Sequence, residues 1–296
     1  MIVLKKHIYP IVFSLALTGC VTYSLLDAFV IPHKLEGEYI VSKYIQTDSN
    51  TDTDYDVAVT ETKKDIVYET VRINNTDVHV AHIYCSAADL KTALAKDTYG
   101  LNITEKTSSM ASEANALIAI NGDYYGAKKS GYVIKNGILY RSTLRTDTSN
   151  DDLVIYADGR FEIINEKDIS AKDLLDQGVI QLFAFGPALV NDSSINVSEN
   201  AEVSKAMQDN PRTAIGMVDI GHYVFVVSDG RTNQNEGLSL YELAQFMQSQ
   251  GCKVAYNLDG GGSSTMIYNN EVVNNPTTSG NKISERAVSD IVYITF

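Results

Sequence analysis

The 296-residue sequence predicts an α+β (mixed α/β) fold, a single domain with a largely antiparallel mixed sheet and flanking helices. Three observations carry that expectation. Short runs in which Val, Ile and Tyr alternate with polar residues recur along the chain, as half-buried strands require. Asn-Gly and Asp-Gly pairs join several of these runs at hairpin spacing. Only a few helical stretches, each with a capping or stop residue, lie between the strands. An apolar content of 44% is enough to fill the core of one domain of about 200–250 residues. No internal repeat is visible.

The N-terminus opens with Lys5 and Lys6, followed by an apolar run from Ile8 to about Ile31, broken by Pro10 and Asp27. Basic residues ahead of roughly 20 apolar ones fit an uncleaved signal anchor. Leu17-Thr18-Gly19-Cys20 also resembles a bacterial lipobox, in which Cys20 would carry lipid. The run continues past Cys20 to Phe29-Val30-Ile31, which a cleaved signal does not need, and this favours the anchor. Either way the body of the protein is expected outside the cytoplasm and tethered to a membrane. The expected division is therefore an anchor or signal segment at 1–34, a linker and start of the ectodomain at 35–64, and the folded domain at 65–296. Ser49–Asp56 (SNTDTDYD) is read as solvated linker, because it lacks the turn glycine and twelfth-position glutamate of an EF-hand.

Asp65–Asn74 and Asp77–Cys85 read as paired strands. Ser86 opens a short helix with a near capping box, and a second helix covers about Ser108–Asn115 ahead of the strand Ala116–Ile120. Hairpins follow through Asn136-Gly137 and Asp158-Gly159. Ser170–Gln177 is a capped helix stopped by Gly178. Thr213–Asp219 and His222–Ser228 form a further hairpin. Ser239 and Glu242 make a capping box for a helix whose Leu240, Leu243, Ala244 and Met247 keep helical spacing until Gly251. A strand at Lys253–Asn257, a hairpin at Asn269-Asn270 and a last strand at Val288–Thr295 complete the order.

Composition excludes several function classes. With 37 acidic against 24 basic residues, a net charge of −13 and no basic tract, the chain is a poor nucleic-acid binder. Any anionic ligand must be held by a few local arginines. Cys20, Cys85 and Cys252 show no metal spacing, and their redox state stays open. His79 and His82 are three apart on a predicted strand and so face opposite sides, which argues against a zinc site. No metal and no other cofactor is expected.

Polar, glycine-flanked segments recur where apolar strands end: Asn121–Gly126, Phe185–Pro187, Asn210–Thr213, Ser228–Arg231 and Asn257–Ser264. Strand-end loops on a rigid sheet are where sites are usually built. The last of them, NLDGGGSS, is too long for a tight turn, and consecutive glycines allow a ligand to approach the main chain. It lacks the P-loop lysine, the G-x-G-x-x-G spacing and the G-x-S-x-G elbow. What remains is carboxylates and arginines: Asp123, Asp229 and Asp259 with Arg212, Arg231 and Arg286. Paired carboxylates serve glycoside hydrolysis, and arginine forks grip phosphate. The bland alternative is that such pairs only tie loops together. A hydrolase triad on Ser263 or Ser264 lacks a base. Tyr124 and Tyr125 are read as core packing rather than as sugar platforms.

ALIAINGDYYG (116–126), FGPALV (185–190), NPRTAIG (210–216), VVSDGR…GLSLYELAQFM (226–247), AYNLDGGGSSTM (255–266) and ERAVSDIV (285–292) together resemble the phosphodiester glycosidase family. That family holds the uncovering-type N-acetylglucosamine-1-phosphodiester alpha-N-acetylglucosaminidases and bacterial exopolysaccharide-biosynthesis relatives. Asp123 stands where relatives often have a second glycine, which makes it a weaker catalytic candidate than Asp229 or Asp259. The resemblance implies hydrolysis of a sugar-1-phosphodiester, with the sugar released from the phosphate. On that reading Arg212 and Arg231, with N–H groups of Gly260, Gly261 and Gly262, grip the phosphate. Asp259 or Asp229 acts at the anomeric carbon or activates water. Asn121 and Ser263 orient sugar hydroxyls, with Ser264 and Arg286 completing the binding set. A glycan-binding module without turnover and a metal-dependent phosphodiesterase are the alternatives, and product analysis separates all three.

Overall fold

The computed structural model describes residues 2–44, 64–146, 151–201, 209–279 and 282–296. The acidic stretch 49–56 lies outside them. Helix α1 (Ile2–Phe29) is followed by β1 (His33–Lys34), β2 (Ile40–Val41), β3 (Asp65–Ile73), β4 (Thr76–Tyr84), β5 (Leu90–Leu94) and β6 (Gly100–Leu101). Helix α2 (Thr107–Glu113) leads to β7 (Ile118–Asn121), β8 (Val133–Lys135), β9 (Ile138–Arg141), β10 (Asp152–Tyr156) and β11 (Phe161–Ile164). After α3 (Ala171–Asp176) come β12 (Val179–Phe183), β13 (Ala188–Asn191), β14 (Ser194–Ile195), β15 (Arg212–Asp219) and β16 (His222–Ser228). Helix α4 (Leu240–Ser249) precedes β17 (Val254–Asn257), β18 (Met266–Tyr268), β19 (Glu271–Val272), β20 (Thr277–Ser279), β21 (Lys282–Ile283) and β22 (Asp290–Ile294).

The expected α+β domain is present, and the described strand pairs are antiparallel, as hairpin connections require. A seven-stranded sheet runs β14-β13-β17-β15-β16-β4-β3, and a five-stranded sheet runs β19-β18-β7-β22-β5. Alternate residues of β16 divide the core between the two faces of the larger sheet. Tyr223, Phe225 and Val227 join Ile83, Ile215 and Tyr256 in a cluster shared with Ile118, Ile120 and Val292 of the smaller sheet. Val224 and Val226 face the other way, onto Leu240, Leu243, Ala244 and Met247 of α4. A strand buried on both faces reads as a continuous apolar run, and β16 does. Helix α2 covers the far face of the smaller sheet through Met110 and Ala111 against Ala119, Ile267 and Ile291. Helix α3 packs on a third sheet, β11-β10-β12, through Leu174 and Leu175.

Two local expectations change. Ser86 starts a single 3-10 turn, Ala87–Asp89, because Leu90 is drawn at once into β5 and its pairing with β22. Residues 33–44, assigned by sequence to the end of the anchor and the start of a linker, pack on the domain. There β1 pairs with β6 and β2 with β9, and Tyr39 meets the Tyr140 ring edge-on at 5.3 Å. The two domain cysteines are buried and free in different layers, Cys85 between the sheets and Cys252 under α4.

Candidate active site

Antiparallel register brings the glycine-flanked loops to one edge. Arg212 pairs with Ser228 and Ala214 with Asn257, so the start of β15 lies beside the ends of β16 and β17. Ala188 pairs with Tyr256, which adds the Gly186-Pro187 turn. In the smaller sheet Asn121 pairs with Ile291, and Met266 with Ile120, so the end of β7 meets the starts of β22 and β18. The two sheets are stitched together here. Asn121 Nδ2 donates to Asp259 O at 2.6 Å, and its Oδ1 accepts from Thr213 Oγ1 at 2.8 Å and Thr265 N at 3.2 Å.

At the solvent side sits a continuous polar chain. Ser263 Oγ donates to Asp259 Oδ2 at 2.5 Å and accepts from Arg286 Nε at 3.0 Å and Nη2 at 2.7 Å. Arg286 Nη2 lies 3.6 Å from the same Asp259 oxygen, with its side chain 44% exposed against 13% for Asp259. Burial pushes the Asp259 carboxyl above the ordinary carboxylate range, opposed by the Arg286 charge and the Ser263 hydrogen bond, while Asp123 adds to the rise. Arg231 lies against the glycines, held by Asn210 Oδ1, which accepts from its Nε at 3.1 Å and Nη2 at 3.0 Å. Burial, and then the neighbouring Arg286 cation, depress the Arg231 pKa. Two guanidinium groups close enough to feel each other are a ready cradle for an anion.

The glycine triplet makes that cradle possible by what it omits. A Cβ on Gly261 would stand 2.7 Å from Arg231 Nη2, and its φ of +60° is one that side chains rarely adopt. A Cβ on Gly262 would stand 2.9 Å from Thr278 Cα. The Gly261 N–H donates to Pro211 O at 2.7 Å, so this amide holds the loop rather than a ligand.

Other expected site residues turn out to be framework. Asn121 is fully buried with its amide consumed by the links above, so it faces no sugar. Arg212 is 3% exposed beneath Gly260, and its Nε donates to Leu238 O at 2.8 Å. Asp229 accepts from Asn275 N and Nδ2 at 2.7 Å each and from Asn235 Nδ2 at 3.3 Å, with His79 Nε2 at 3.9 Å. Burial works against its charge, yet the nearby His79 imidazole and the hydrogen bonds from Asn275 hold its pKa below the ordinary range. It fastens loops as an anchored anion. Ser264 is fully buried. Tyr125 is buried as expected, whereas Tyr124 is 48% exposed.

Asp123 belongs to a charged floor that the sequence did not disclose. Its Oδ2 accepts from Ala184 N at 3.1 Å and lies 3.5 Å from Lys135 Nζ, which is 2.9 Å from Asp290 Oδ2. Lys135 and Asp290 are 2% and 0% exposed in their side chains. Burial disfavours the ammonium, but Asp123 and Asp290 keep it protonated. Burial pushes Asp290 up to about 7, with Lys135 pulling down and Asp123 and Asp259 pushing further. Asp290 stands in the quoted ERAVSDIV run, and Lys135 is the one charge in the otherwise apolar run 132–135; those were the available signals. An open hollow beside α3 is lined by Glu166, Asp168, Asp173 and Asp176 with Lys167, and so offers no phosphate cradle.

A profile of the family described as phosphodiester glycosidase matches residues 114–295, more than half of the chain and all of the loops above. The chain belongs to the phosphodiester glycosidase family. It is 30% identical over 201 residues to the SPbeta prophage-derived protein YomE of Bacillus subtilis, covering 67% of this chain and 31% of that one. It is also 30% identical over 181 residues to the N-acetylglucosamine-1-phosphodiester alpha-N-acetylglucosaminidase of Mus musculus, covering 55% and 34%. The chain thus spans about a third of the length of these two relatives. Among solved structures, the zebrafish N-acetylglucosamine-1-phosphodiester alpha-N-acetylglucosaminidase catalytic domain, auto-inhibited by its pro-peptide, superposes with a TM-score of 0.61. That match is 21% identical and covers 88% of both chains. A putative exported protein of Burkholderia pseudomallei gives 0.55 at 18% identity over 74% of both. At these identities the two structures establish the fold. The phosphodiester glycosidase match begins at residue 114 and therefore leaves the N-terminal helix and β1–β6 outside it.

Proposed function

We propose that this phosphodiester glycosidase hydrolyses a sugar-1-phosphodiester at its glycosidic C–O bond. The observation that carries the reading is one carboxylate, Asp259, touching a hydroxyl and a guanidinium beside a second guanidinium laid on bare backbone. Arg231 and Arg286 hold the phosphate diester. The C1–O bond breaks with its electron pair passing to the phosphate oxygen, which leaves as a phosphomonoester. Water supplies the hydroxyl at C1, and the proton it gives up passes to the departing phosphomonoester or to solvent. Asp259 is the carboxylate placed to act on the anomeric carbon or on the attacking water, and Ser263 fixes its direction. A phosphate is already a good leaving group, so charge complementarity matters more here than general-acid help. The Asp123–Lys135–Asp290 floor supports the loop that meets Asp259 from below.

The N-terminal helix fits a signal anchor or signal sequence, since its stretch Tyr9–Phe29 is apolar and unburied. From this we infer an extracytoplasmic domain tethered to a membrane and acting on a cell-surface glycan or exopolysaccharide. Incubation with UDP-sugars and aryl sugar-1-phosphodiesters tests the activity. Free sugar plus phosphomonoester is expected, with Asp259→Asn slowing turnover by about 10³-fold or more while the fold is retained. Near wild-type turnover in that variant would remove Asp259 from the chemistry. Sugar-phosphate as product would indicate a phosphodiesterase, and no product at all a binding module.

A further inference from the structure

We propose that the site opens against a lipid bilayer, with Tyr124, Lys128 and Lys129 lying on the headgroups, and that its substrate is a glycosyl phosphodiester carried in that bilayer. The substrate half rests on the glycosidase reading above; the placement half rests on the membrane-anchor reading of α1 and on the contacts at the end of that helix. The apolar stretch Tyr9–Phe29 has 21 residues and none of it is buried against the domain. At about 1.5 Å per residue it reaches roughly 30 Å, the thickness of a bilayer's hydrocarbon core.

The end of this helix is fastened to the domain next to the loop that carries Asp123. Asn102 Nδ2 donates to Ala28 O at 3.3 Å and to Ile31 O at 3.1 Å, and Asn102 N donates to Gly126 O at 3.0 Å. His33 Nε2 closes on Asp27 O at 3.1 Å, and β1 pairs with β6 next to Asn102. Gly126 ends the loop that begins at Asn121 and carries Asp123, and three residues of chain span at most ~11 Å. A Cβ on Gly126 would stand 2.5 Å from Ser289 Oγ, so the loop that carries Arg286 and leads into Asp290 packs on the same point. Three hydrogen bonds through Asn102 therefore connect the C-terminal end of α1 to the loop that carries Asp123.

The exposed side chains around this junction suit a headgroup layer. Phe29 is 74% exposed and Val30 60%, Lys34 is exposed on the same segment, and Tyr124, Lys128 and Lys129 are exposed on either side of Gly126. Tyrosine and lysine together are the usual residues of a membrane–water interface. Lys34, Lys128 and Lys129 offset the carboxylates of Asp27, Glu36 and Glu38 in a chain whose net charge is −13. A short tether confines the site to molecules at that surface and raises its encounter rate with them.

The chain contains no tryptophan, so Tyr124→Trp in the full chain supplies a lone reporter. In vesicles of phosphatidylcholine and phosphatidylglycerol, its emission should be blue-shifted and quenched by lipids brominated close to the headgroup. Emission of a water-exposed indole, quenched by acrylamide and untouched by brominated lipid, would overturn the placement. In the same vesicles, a lipid-tailed sugar-1-phosphodiester should be hydrolysed with a kcat/KM at least about tenfold above that of a short-chain soluble analogue. The double variant Lys128→Glu, Lys129→Glu should lower the first rate and leave the second. Equal rates on both diesters, or equal losses in the variant, would contradict the substrate assignment. Lipid quenching without hydrolysis of either diester would overturn the glycosidase reading, and with it the substrate half alone.

Discussion

On the proposed reading, Asp259, Ser263, Arg286 and Arg231 form the working surface of the site, and each can be tested by what it touches. Gly261→Ala places a methyl within 2.7 Å of the Arg231 guanidinium at a backbone φ of +60°. We expect the strain to cost about 1–2 kcal/mol of stability. Displacement of Arg231 should raise the KM for a phosphodiester by roughly tenfold, equivalent to about 1.4 kcal/mol of binding. An unchanged KM would mean that Arg231 does not meet the phosphate. Arg286 pulls the Asp259 pKa down against the effect of burial. Arg286→Ala should therefore move the acid limb of the kcat/KM profile to higher pH, because the carboxylate then forms later as pH rises. A limb that stays in place would dissociate the two residues. That Asp259, Ser263 and Arg231 stand in loops at one edge was legible in the sequence, because glycine and hydroxyl clusters announce a loop built for approach. The framework roles of Asn121, Arg212 and Asp229 were not, because their partners (Thr213 and Asp259, Leu238, Asn275) come from strands and loops far along the chain.

At the scale of the element, local chemistry was readable and long-range pairing was not. Ser239 and Glu242 form the expected reciprocal cap on α4, since both partners lie within four residues. Ser239→Ala should lower stability by about 1 kcal/mol in chemical denaturation with kcat unchanged. A loss of activity at full stability would tie α4 to the site. Strand β1 carries no pattern of its own, being two residues that pair with Gly100 and Leu101, and so it was read as the end of the anchor. Lys135 was hidden for the opposite reason. A lysine before an Asn-Gly turn reads as a solvated flank, yet β8 turns it onto Asp290 of β22. That contact has a pH signature. Burial raises the Asp290 carboxyl to about 7, above the ordinary value of about 4. Between those two values the folded state holds a proton that the unfolded state has released, so stability falls as pH rises through the window. Asp290→Asn should flatten that slope in denaturation midpoints measured from about pH 4 to 7. The same slope in the variant would place its source elsewhere.

The whole molecule explains why sequence-distant motifs act together. Strands β15, β16 and β17 run antiparallel at the centre of one sheet, and β7, β18 and β22 do so in the other. The ends of some must therefore face the starts of others, and the loops after β7, β16 and β17 meet those before β13, β15 and β22 at a single edge. The sequence declared the loops and the fold class, since turn residues and strand alternation are local. It could not declare strand order, which depends on register between segments more than a hundred residues apart, as for β4 and β16. In the proposed reaction water attacks carbon and phosphate departs. Hydrolysis of a sugar-1-phosphodiester in water enriched with oxygen-18, followed by mass spectrometry of both products, tests it directly. The label should appear in the anomeric hydroxyl of the free sugar, with an unlabelled phosphomonoester. Label in the phosphate, with the sugar released still phosphorylated or unlabelled, would contradict it.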